Sequence, residues 1–523
     1  MTQRMKWWGW GDPGRESDLK PAFRDYLFSR VGIGSRDAKR PVRPPELPPA
    51  NPDVAASVGG TSADADRLAH AVGRGYVDLV RLRQGRLERA PDAVVYPEDA
   101  EGVRRVLKAA ERDGWAVVPF GGGTSVVGGV EPVADGRRGV VTLDLTRMAH
   151  VLDIDRTSLT ARIEAGAFGP AIERVLASDG LELGHYPQSF EYSTLGGWIA
   201  ARSAGQNSTG YGRIENLVVA LKCVTPVGEI VTRELPASAS GPELREAIVG
   251  SEGTLGVITE AVVRVHRKPE RLRYRSLLFT SFRAGLAALR SIMQRGPCPI
   301  VSRLSDEPET ELLLKQSGAE SKWGFRLLRL LGKGAYLRGG AHLLLGYLHH
   351  AEVVEASRLA KREGGLDIGG SAGAHWEKTR FDLPYMRDTF LDYGLLVETI
   401  ETAASWSRLE KLHGAVRAGI ERALPSPIVL AHVSHVYPDG ASLYFTFLCD
   451  GRDRGIDLWR AAKEAAARAI LENGGTISHH HGVGTDHRPW LEAERGRVQI
   501  EMLRALKRTL DPKGILNPGK LIP

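Results

Sequence analysis

The chain has 523 residues, 42% apolar and 25% charged, with a mean hydropathy of −0.21. This ordinary globular composition excludes a wholly disordered chain and a membrane bundle, and leaves room for several domains. The 70 basic and 63 acidic residues give a net charge of +7 and a pI near 9.2, a mild excess that suits an anionic small molecule or a phospholipid surface and gives little support to nucleic-acid binding.

In chain order, the first 90 residues open irregularly. The run Pro41-Val-Arg-Pro-Pro-Glu-Leu-Pro-Pro49 suits neither a helix interior nor a central strand and reads as an extended tether. A short helical pattern follows over 64–80. Regular order starts with a strand at 92–96. Val103, Val106, Leu107 and Ala110 then recur at helical spacing until Gly114 stops them. A second strand, 116–120, empties into Gly121-Gly-Gly-Thr-Ser125. Next come a strand at 140–145, a hairpin pairing 151–155 with 159–164, and a helix over 168–178. A stretch rich in Gly, Ser, Asn and Tyr runs from Pro187 to Asn216, and a hairpin over 218–231 turns at Pro226-Val-Gly228. A third glycine-rich stretch, Gly250-Ser-Glu-Gly-Thr-Leu-Gly256, precedes the β-branched run 257–265. Pro269 marks a composition shift, beyond which strands and helices alternate to residue 460.

The three cysteines, Cys223, Cys298 and Cys449, are widely spaced. They form no disulfide framework or thiolate zinc motif and suit a reducing cytosol. The first ten residues lack the apolar core of a signal peptide, no uncharged apolar run approaches the ~20 residues of a membrane span, and Leu521-Ile-Pro523 is not a peroxisomal address. The expected location is cytoplasmic.

Glycine permits positive φ and lets backbone N–H groups approach an anion. One such loop reads equally well as a tight turn, but three, each near a strand-like run, point to an extended phosphorylated cofactor. Neither a dinucleotide fingerprint nor a P-loop is present. The stretches Pro119-Phe-Gly-Gly-Gly-Thr-Ser-Val126, Pro187-Gln-Ser-Phe-Glu-Tyr-Ser-Thr-Leu-Gly-Gly197 and Gly250-Ser-Glu-Gly-Thr-Leu-Gly-Val-Ile-Thr-Glu260 resemble the FAD-binding loops of the vanillyl-alcohol-oxidase flavoprotein superfamily. The ending Leu510-Asp-Pro-Lys-Gly-Ile-Leu-Asn-Pro-Gly-Lys-Leu-Ile522 resembles its C-terminal signature. Within the superfamily, Met5-Lys-Trp-Trp-Gly-Trp10, Tyr385-Met-Arg-Asp388, Leu443-Tyr-Phe-Thr-Phe447 and Ser478-His-His-His-Gly-Val-Gly484 make the chain most similar to the alkyldihydroxyacetonephosphate synthase family, in a bacterial-type form.

That resemblance implies an α+β architecture. An N-terminal segment, 1–90, leads into a two-subdomain FAD-binding domain over 91–268. A cap with an antiparallel sheet covers 269–460, and the segment 461–523 brings the histidine loop back to the FAD domain. FAD contacts are expected from Pro119, Gly121, Gly122, Gly123, Thr124 and Ser125, from Pro187, Ser189, Ser193, Thr194, Gly196 and Gly197, and from Glu252, Gly253, Gly256 and Ile258. Thr124 stands in the stretch where covalently flavinylated relatives place a histidine, so FAD is expected to be non-covalent. Gln188 departs from an expected aspartate.

The residues that could do chemistry each have a plainer reading. His479, His480 and His481 could carry protons or bind phosphate, hold a metal, or line a polar surface loop; the resemblance selects the active-site role without a metal. Tyr444 alternates with Phe445 in a strand-like run and could be an ordinary strand aromatic; the resemblance makes it the acid/base candidate. Arg387 could bind a carboxylate or phosphate bidentately or pair with Asp388. Arg303 matches a family arginine and is a substrate-binding candidate, and His185 could reach the ring region or cap a turn. Lys322, Arg326, Arg329 and Lys333 recur at helical spacing among apolar residues. They suit an anionic membrane on the inner face, or a solvated basic helix face.

The implied reaction is redox-neutral. The acyl chain of acyl-dihydroxyacetone phosphate is exchanged for a fatty alcohol, with flavin N5 holding the dihydroxyacetone phosphate fragment in between. A homodimer is expected. One alternative is an FAD-dependent 2-hydroxyacid dehydrogenase of the D-lactate or glycolate type, which would want a His-x-Gly-Asp-Gly-Asn-x-His pattern; His435-Val-Tyr-Pro-Asp-Gly440 lacks its second histidine. The other is a membrane-associated binding protein without turnover, against which the flavin loops, Tyr444 and the histidine triplet argue.

Overall fold

The computed structural model describes residues 5–317, 330, 332–337 and 339–523. Helix Ala100–Asp113 begins where the Asp99 carboxylate accepts from Gly102 N (2.6 Å) and ends at Gly114. It buries Val103, Val106, Leu107 and Ala110 beside a parallel sheet ordered Ala93–Val95, Val140–Asp144, Ala116–Phe120. A second sheet is antiparallel, ordered Val151–Asp155, Thr160–Glu164, Val257–Arg264, Val218–Thr225, Gly228–Val231. The two share one core through residues such as Leu107, Val117, Leu143, Ile163 and Leu221.

A seven-stranded antiparallel sheet forms the cap, ordered Leu366–Gly369, Arg273–Phe279, Ala341–Tyr347, Val301–Ser305, Ile428–Val436, Gly440–Asp450, Leu395–Ser405. Helices Phe282–Arg295, His350–Arg362, Trp406–Ala423 and Gly455–Glu472 pack on it. Phe445 and Phe447 are fully buried with Leu412, Val416 and Ile470, so strand alternation leaves Tyr444 and Thr446 on the opposite face.

The helical pattern expected over 64–80 is two helices, Asp64–Ala69 and Tyr76–Arg83. The break is enforced by contact: Arg74 N donates to Ser125 O (2.6 Å), and a Cβ on Gly73 would lie 2.3 Å from that oxygen. The opening residues also hold more order than the sequence suggests. Helix Pro21–Arg30 inserts Phe23, Leu27 and Phe28 into the cap core.

After helix Arg497–Leu510 the chain returns to the first sheet. Val117 N donates to Ile515 O and Asn517 N to Val117 O, both at 2.8 Å. Asp511 accepts from the amides of Ile515 and Leu516, and Asn517 Nδ2 reaches Gly129 O (3.1 Å) and Glu252 O (2.7 Å). The C-terminal signature therefore clamps the first and third glycine loops together. Lys322, Arg326 and Arg329 lie outside the described residues; Lys333 is exposed. Among the described residues no helix is long and apolar enough to cross a membrane.

Candidate active site

The three glycine loops converge. Gly122 lies so close to Tyr192 that a Cβ would sit 1.7 Å from its carbonyl oxygen, and Gly253, at φ 72°, covers the Pro119 ring. Close packing between loops thus requires these glycines before any ligand is considered. The amides of Gly121, Gly122, Gly123 and Thr124 find no acceptor among the described residues. Such a run of free donors can cradle a phosphate, and it fits the pyrophosphate of FAD.

Other expected cofactor contacts are spent inside the protein. Ser125 Oγ accepts from Gly129 N (2.9 Å), and Thr194 Oγ1 caps helix Leu195–Ala201. Ser193 Oγ donates to Ser189 O (2.9 Å) and accepts from Trp198 Nε1 (2.6 Å). Gly196 and Gly256 abut Ala165 and Cys223, and Ile258 is buried in its strand. The Glu252 carboxyl, pushed up to about 7 by burial despite two amide donors, accepts from Gly484 N (2.7 Å) and Val483 N. It joins the third loop to the histidine loop. Gln188 Nε2 donates to Arg380 O (2.6 Å), tying the second loop to the cap. His185 is buried against Trp198 and bonded to Ser203 Oγ (2.8 Å), so it neither caps a turn nor opens to the surface.

A carboxylate that the sequence reading missed holds the histidine loop. Glu401, 1% exposed, pairs with Tyr444 across adjacent strands. It accepts from Ser478 Oγ (2.8 Å) and from the amides of His480 (3.1 Å), His481 (2.8 Å) and His479. Burial would raise this carboxyl, but the three imidazoles and the amides hold it well below the usual range. Glu398 and Glu401, two glutamates within the strand Leu395–Ser405 beside Leu395, Leu396, Val397 and Ile400, are the signal that could have found it.

The rings form a chain. Tyr437 Oη lies 2.7 Å from His479 Nε2, and His479 Nδ1 lies 3.0 Å from His480 Nδ1. Two neutral protonation patterns satisfy both contacts and differ by one proton shifted at each link. In one, His480 Nε2 carries a proton; in the other it is a bare acceptor. Burial holds His479 and His435 well below the imidazole range and pushes His480 down to about 3 against the pull of Glu401. The nitrogens of His435, His479 and His480 lie within 4.8 Å of one another, a spacing a cation could use. Yet His435 Nε2 bonds Gly205 O (3.0 Å) and its Nδ1 meets Ser434 Oγ (2.8 Å). Arg213, which donates to His479 O (2.7 Å), adds positive charge. The arrangement suits proton movement better than a metal.

Tyr444 faces this loop. Its ring stacks on His432 at 5.1 Å and near His480 at 5.9 Å, with His481 edge-on at 5.6 Å. Burial pushes the phenol up to about 12, against a hydrogen bond from Thr399 and the charge of Arg387, so at neutral pH it is a donor. Arg303 stands two strands away in the same sheet, bonded to Glu309 (2.9 Å) and His432 (3.2 Å). Its charge is already paired, so it props His432, the cross-strand neighbour of Tyr444, a different placement from the substrate contact expected of it.

Arg387 does not pair with Asp388. That carboxylate is buried, accepts from Trp10 N (2.8 Å) and pairs with Lys6 Nζ (2.9 Å). Trp10 meets Tyr192 edge-on at 5.7 Å, and Tyr192 Oη is 3.3 Å from Tyr385 Oη. The motifs at 5–10 and 385–388 are therefore two halves of one contact beside the second glycine loop, and Arg387 is left with a buried, unpartnered Nε.

The neutral imidazoles make stability pH-dependent. His185, His435, His479, His480, His481 and His487 are all lowered from 6.5, burial being the largest cause. Above pH 6.5 these rings are neutral whether the chain is folded or not. Below it the unfolded chain takes up protons that the folded rings refuse, at up to about 1.4 kcal/mol per ring per pH unit. Melting temperature should fall steeply from pH 7 to 5.5. A flat profile would mean that the rings are already charged.

Residues 91–233 match the family model for an FAD binding domain, and residues 268–521 that for the C-terminal domain of FAD linked oxidases. An alkyldihydroxyacetonephosphate synthase of Dictyostelium discoideum is 36% identical over 474 residues, covering 87% of this chain and 77% of the relative. One of Caenorhabditis elegans is 31% identical over 531 residues, covering 96% and 89%. A solved alkyldihydroxyacetonephosphate synthase structure superposes with a TM-score of 0.86 at 30% identity, covering 99% of both chains.

Proposed function

The chain belongs to the alkyldihydroxyacetonephosphate synthase family, and on that premise we propose that it exchanges the acyl chain of acyl-dihydroxyacetone phosphate for a fatty alcohol, releasing a fatty acid. The observation that carries this reading is the meeting of Tyr444 and the His479–His481 loop across one buried carboxylate, Glu401, with phosphate-cradling amides in the adjoining domain. It is an FAD-dependent enzyme. We assign residues 91–268 to the flavin and 269–460 to the cap that shapes the substrate pocket, with 461–523 closing the site.

FAD, held by the amides of Gly121, Gly122, Gly123 and Thr124, would supply the electrophilic ring that the exchange needs. The Tyr444 phenol, protonated at rest, donates to the substrate oxygen on which charge develops. A bare imidazole nitrogen, His480 Nε2 in one of its two patterns, takes the proton released by the carbon beside the carbonyl, and Tyr437 and His479 pass protons behind it. Arg387 holds an anionic part of the substrate.

Purified enzyme given acyl-dihydroxyacetone phosphate and labelled fatty alcohol should yield labelled ether, and with D-lactate it should not reduce a dye acceptor. The opposite pattern would establish the 2-hydroxyacid dehydrogenase. The structure gives His435, head of the incomplete metal pattern, to Gly205 and Ser434 instead. With Thr124 in place of histidine, acid precipitation should leave the yellow colour in the supernatant; a coloured pellet would show a covalent link. The basic run Lys322, Arg326, Arg329 and Lys333 supports a docking role on anionic lipid, where each charge adds about 1 kcal/mol. Reversing all four should abolish co-sedimentation with anionic vesicles.

A further inference from the structure

Four strands of the cap carry one polar row. Ser305 pairs with His432, His432 with Tyr444 and Tyr444 with Glu401 in register, and partners directly across strands share a face. Each histidine stacked on Tyr444 is held by its own buried carboxylate. Glu401 accepts the amide of His480 (3.1 Å), and Glu309, in helix Glu307–Ser317, meets Nδ1 of His432 at 3.0 Å. Glu309 and His432 are both buried. The same carboxylate oxygen, Oε1, meets Arg303 Nη2 at 2.9 Å. The amide of Glu309 donates to Asp306 Oδ1 (3.0 Å), and Asp306, fully buried, donates its own amide to Ala431 O (2.9 Å). The carboxylate is thereby fixed beside the strand that carries His432.

This contact sets the state of the ring. Burial and the charge of Arg303 lower the His432 imidazole against the pull of Glu309, so the ring is neutral at pH 7. Nδ1 also lies 3.2 Å from Arg303 Nη2, which can only donate and already has Glu309 as its acceptor. The carboxylate can only accept, so Nδ1 carries the proton and Nε2 is left bare. A buried ion network adds little net stability over apolar packing, but it fixes an orientation.

We propose that Glu309 is a positioning residue for the exchange reaction: through Nδ1 of His432 it sets the surface on which the Tyr444 ring rests, and with it the direction of the phenol hydroxyl. This rests on the synthase reading. Without the carboxylate the imidazole can turn and the phenol can shift, and a misplacement of about 1 Å can cost about 10²-fold in rate.

In FAD-loaded protein, Glu309→Gln should lower kcat for alkyl transfer by about 10²-fold and leave KM nearly unchanged. His432→Phe, which keeps an aromatic ring beside Tyr444 but cannot bond Glu309, should do the same. The deciding measurement is a double-mutant cycle with Tyr444→Phe. If Glu309 works through the phenol, adding Glu309→Gln to Tyr444→Phe should cost no further activity. A merely structural role would lower both backgrounds alike and would overturn the proposal. Should the glutamine variant not fold, the same cycle run with His432→Phe decides the matter, and Glu309→Asp, which keeps the charge, should fold and retain part of kcat. A second readout does not need turnover. In NMR with isotope-labelled imidazole nitrogens, the ring signal missing from His432→Phe should belong to an Nδ1–H tautomer. The Nε2–H form in an active wild type would overturn the positioning role alone. A wild type that transfers no alkyl group would overturn the synthase reading and the positioning role with it.

Discussion

Tyr444→Phe should lower alkyl transfer by about 10²–10⁴-fold, the usual contribution of a positioned acid or base, with FAD content unchanged. The ring keeps its packing against His432 and His480, so only the hydroxyl is lost. Because the phenol stays protonated to about pH 12, its contribution is that of a donor, and the residual rate should not recover on raising the pH. Wild-type turnover in the variant, measured with labelled alcohol, would remove the tyrosine from the mechanism.

Glu401→Gln should be comparably severe for a different reason. The carboxylate receives three amides and a hydroxyl, and an amide side chain turns one acceptor into a donor facing donors. Breaking a buried charged network of this kind costs about 3–5 kcal/mol, so a large drop in melting temperature is expected together with at least ~10²-fold loss of turnover. The acid limb carries the sign. Because the folded carboxyl sits well below 4.5, its stabilisation is present above that pH and lost as pH falls further, and the glutamine variant should lack this component. Glu401→Asp, which keeps the charge, should retain more stability than Glu401→Gln. Equal melting curves for the two would mean that the charge is immaterial.

Local patterns in the chain pointed to much of this architecture. The helix at 100–113, the hairpins at 151–164 and 218–231 and the face of Tyr444 opposite Phe445 follow from periodicity and turn residues, which act over a few positions. What escaped depends on distant partners. Gly73 and Gly75 break a helix because Ser125 and Val126 press on them, and Asp388 turns away from Arg387 because Lys6 and Trp10 arrive from the other end of the chain. Glu401, Tyr437 and Glu309 escaped likewise, since each acquires meaning only from groups brought beside it by folding. The glycine loops were legible as a phosphate cradle, but the sequence could not separate amides free for a ligand from glycines that make room for a neighbouring strand.

The return of residues 511–517 to the first sheet carries a consequence for how the protein is made. Val117 waits for its neighbours Ile515 and Asn517, about 400 positions later in synthesis. At the usual ribosomal pace of about 5–20 residues per second, that is roughly 20–80 s. Throughout that interval the edge of a hydrophobic strand stands open beside the first loop. The nascent chain should therefore be most prone to aggregation, and most in need of a chaperone, after its first domain has emerged and before its last residues have.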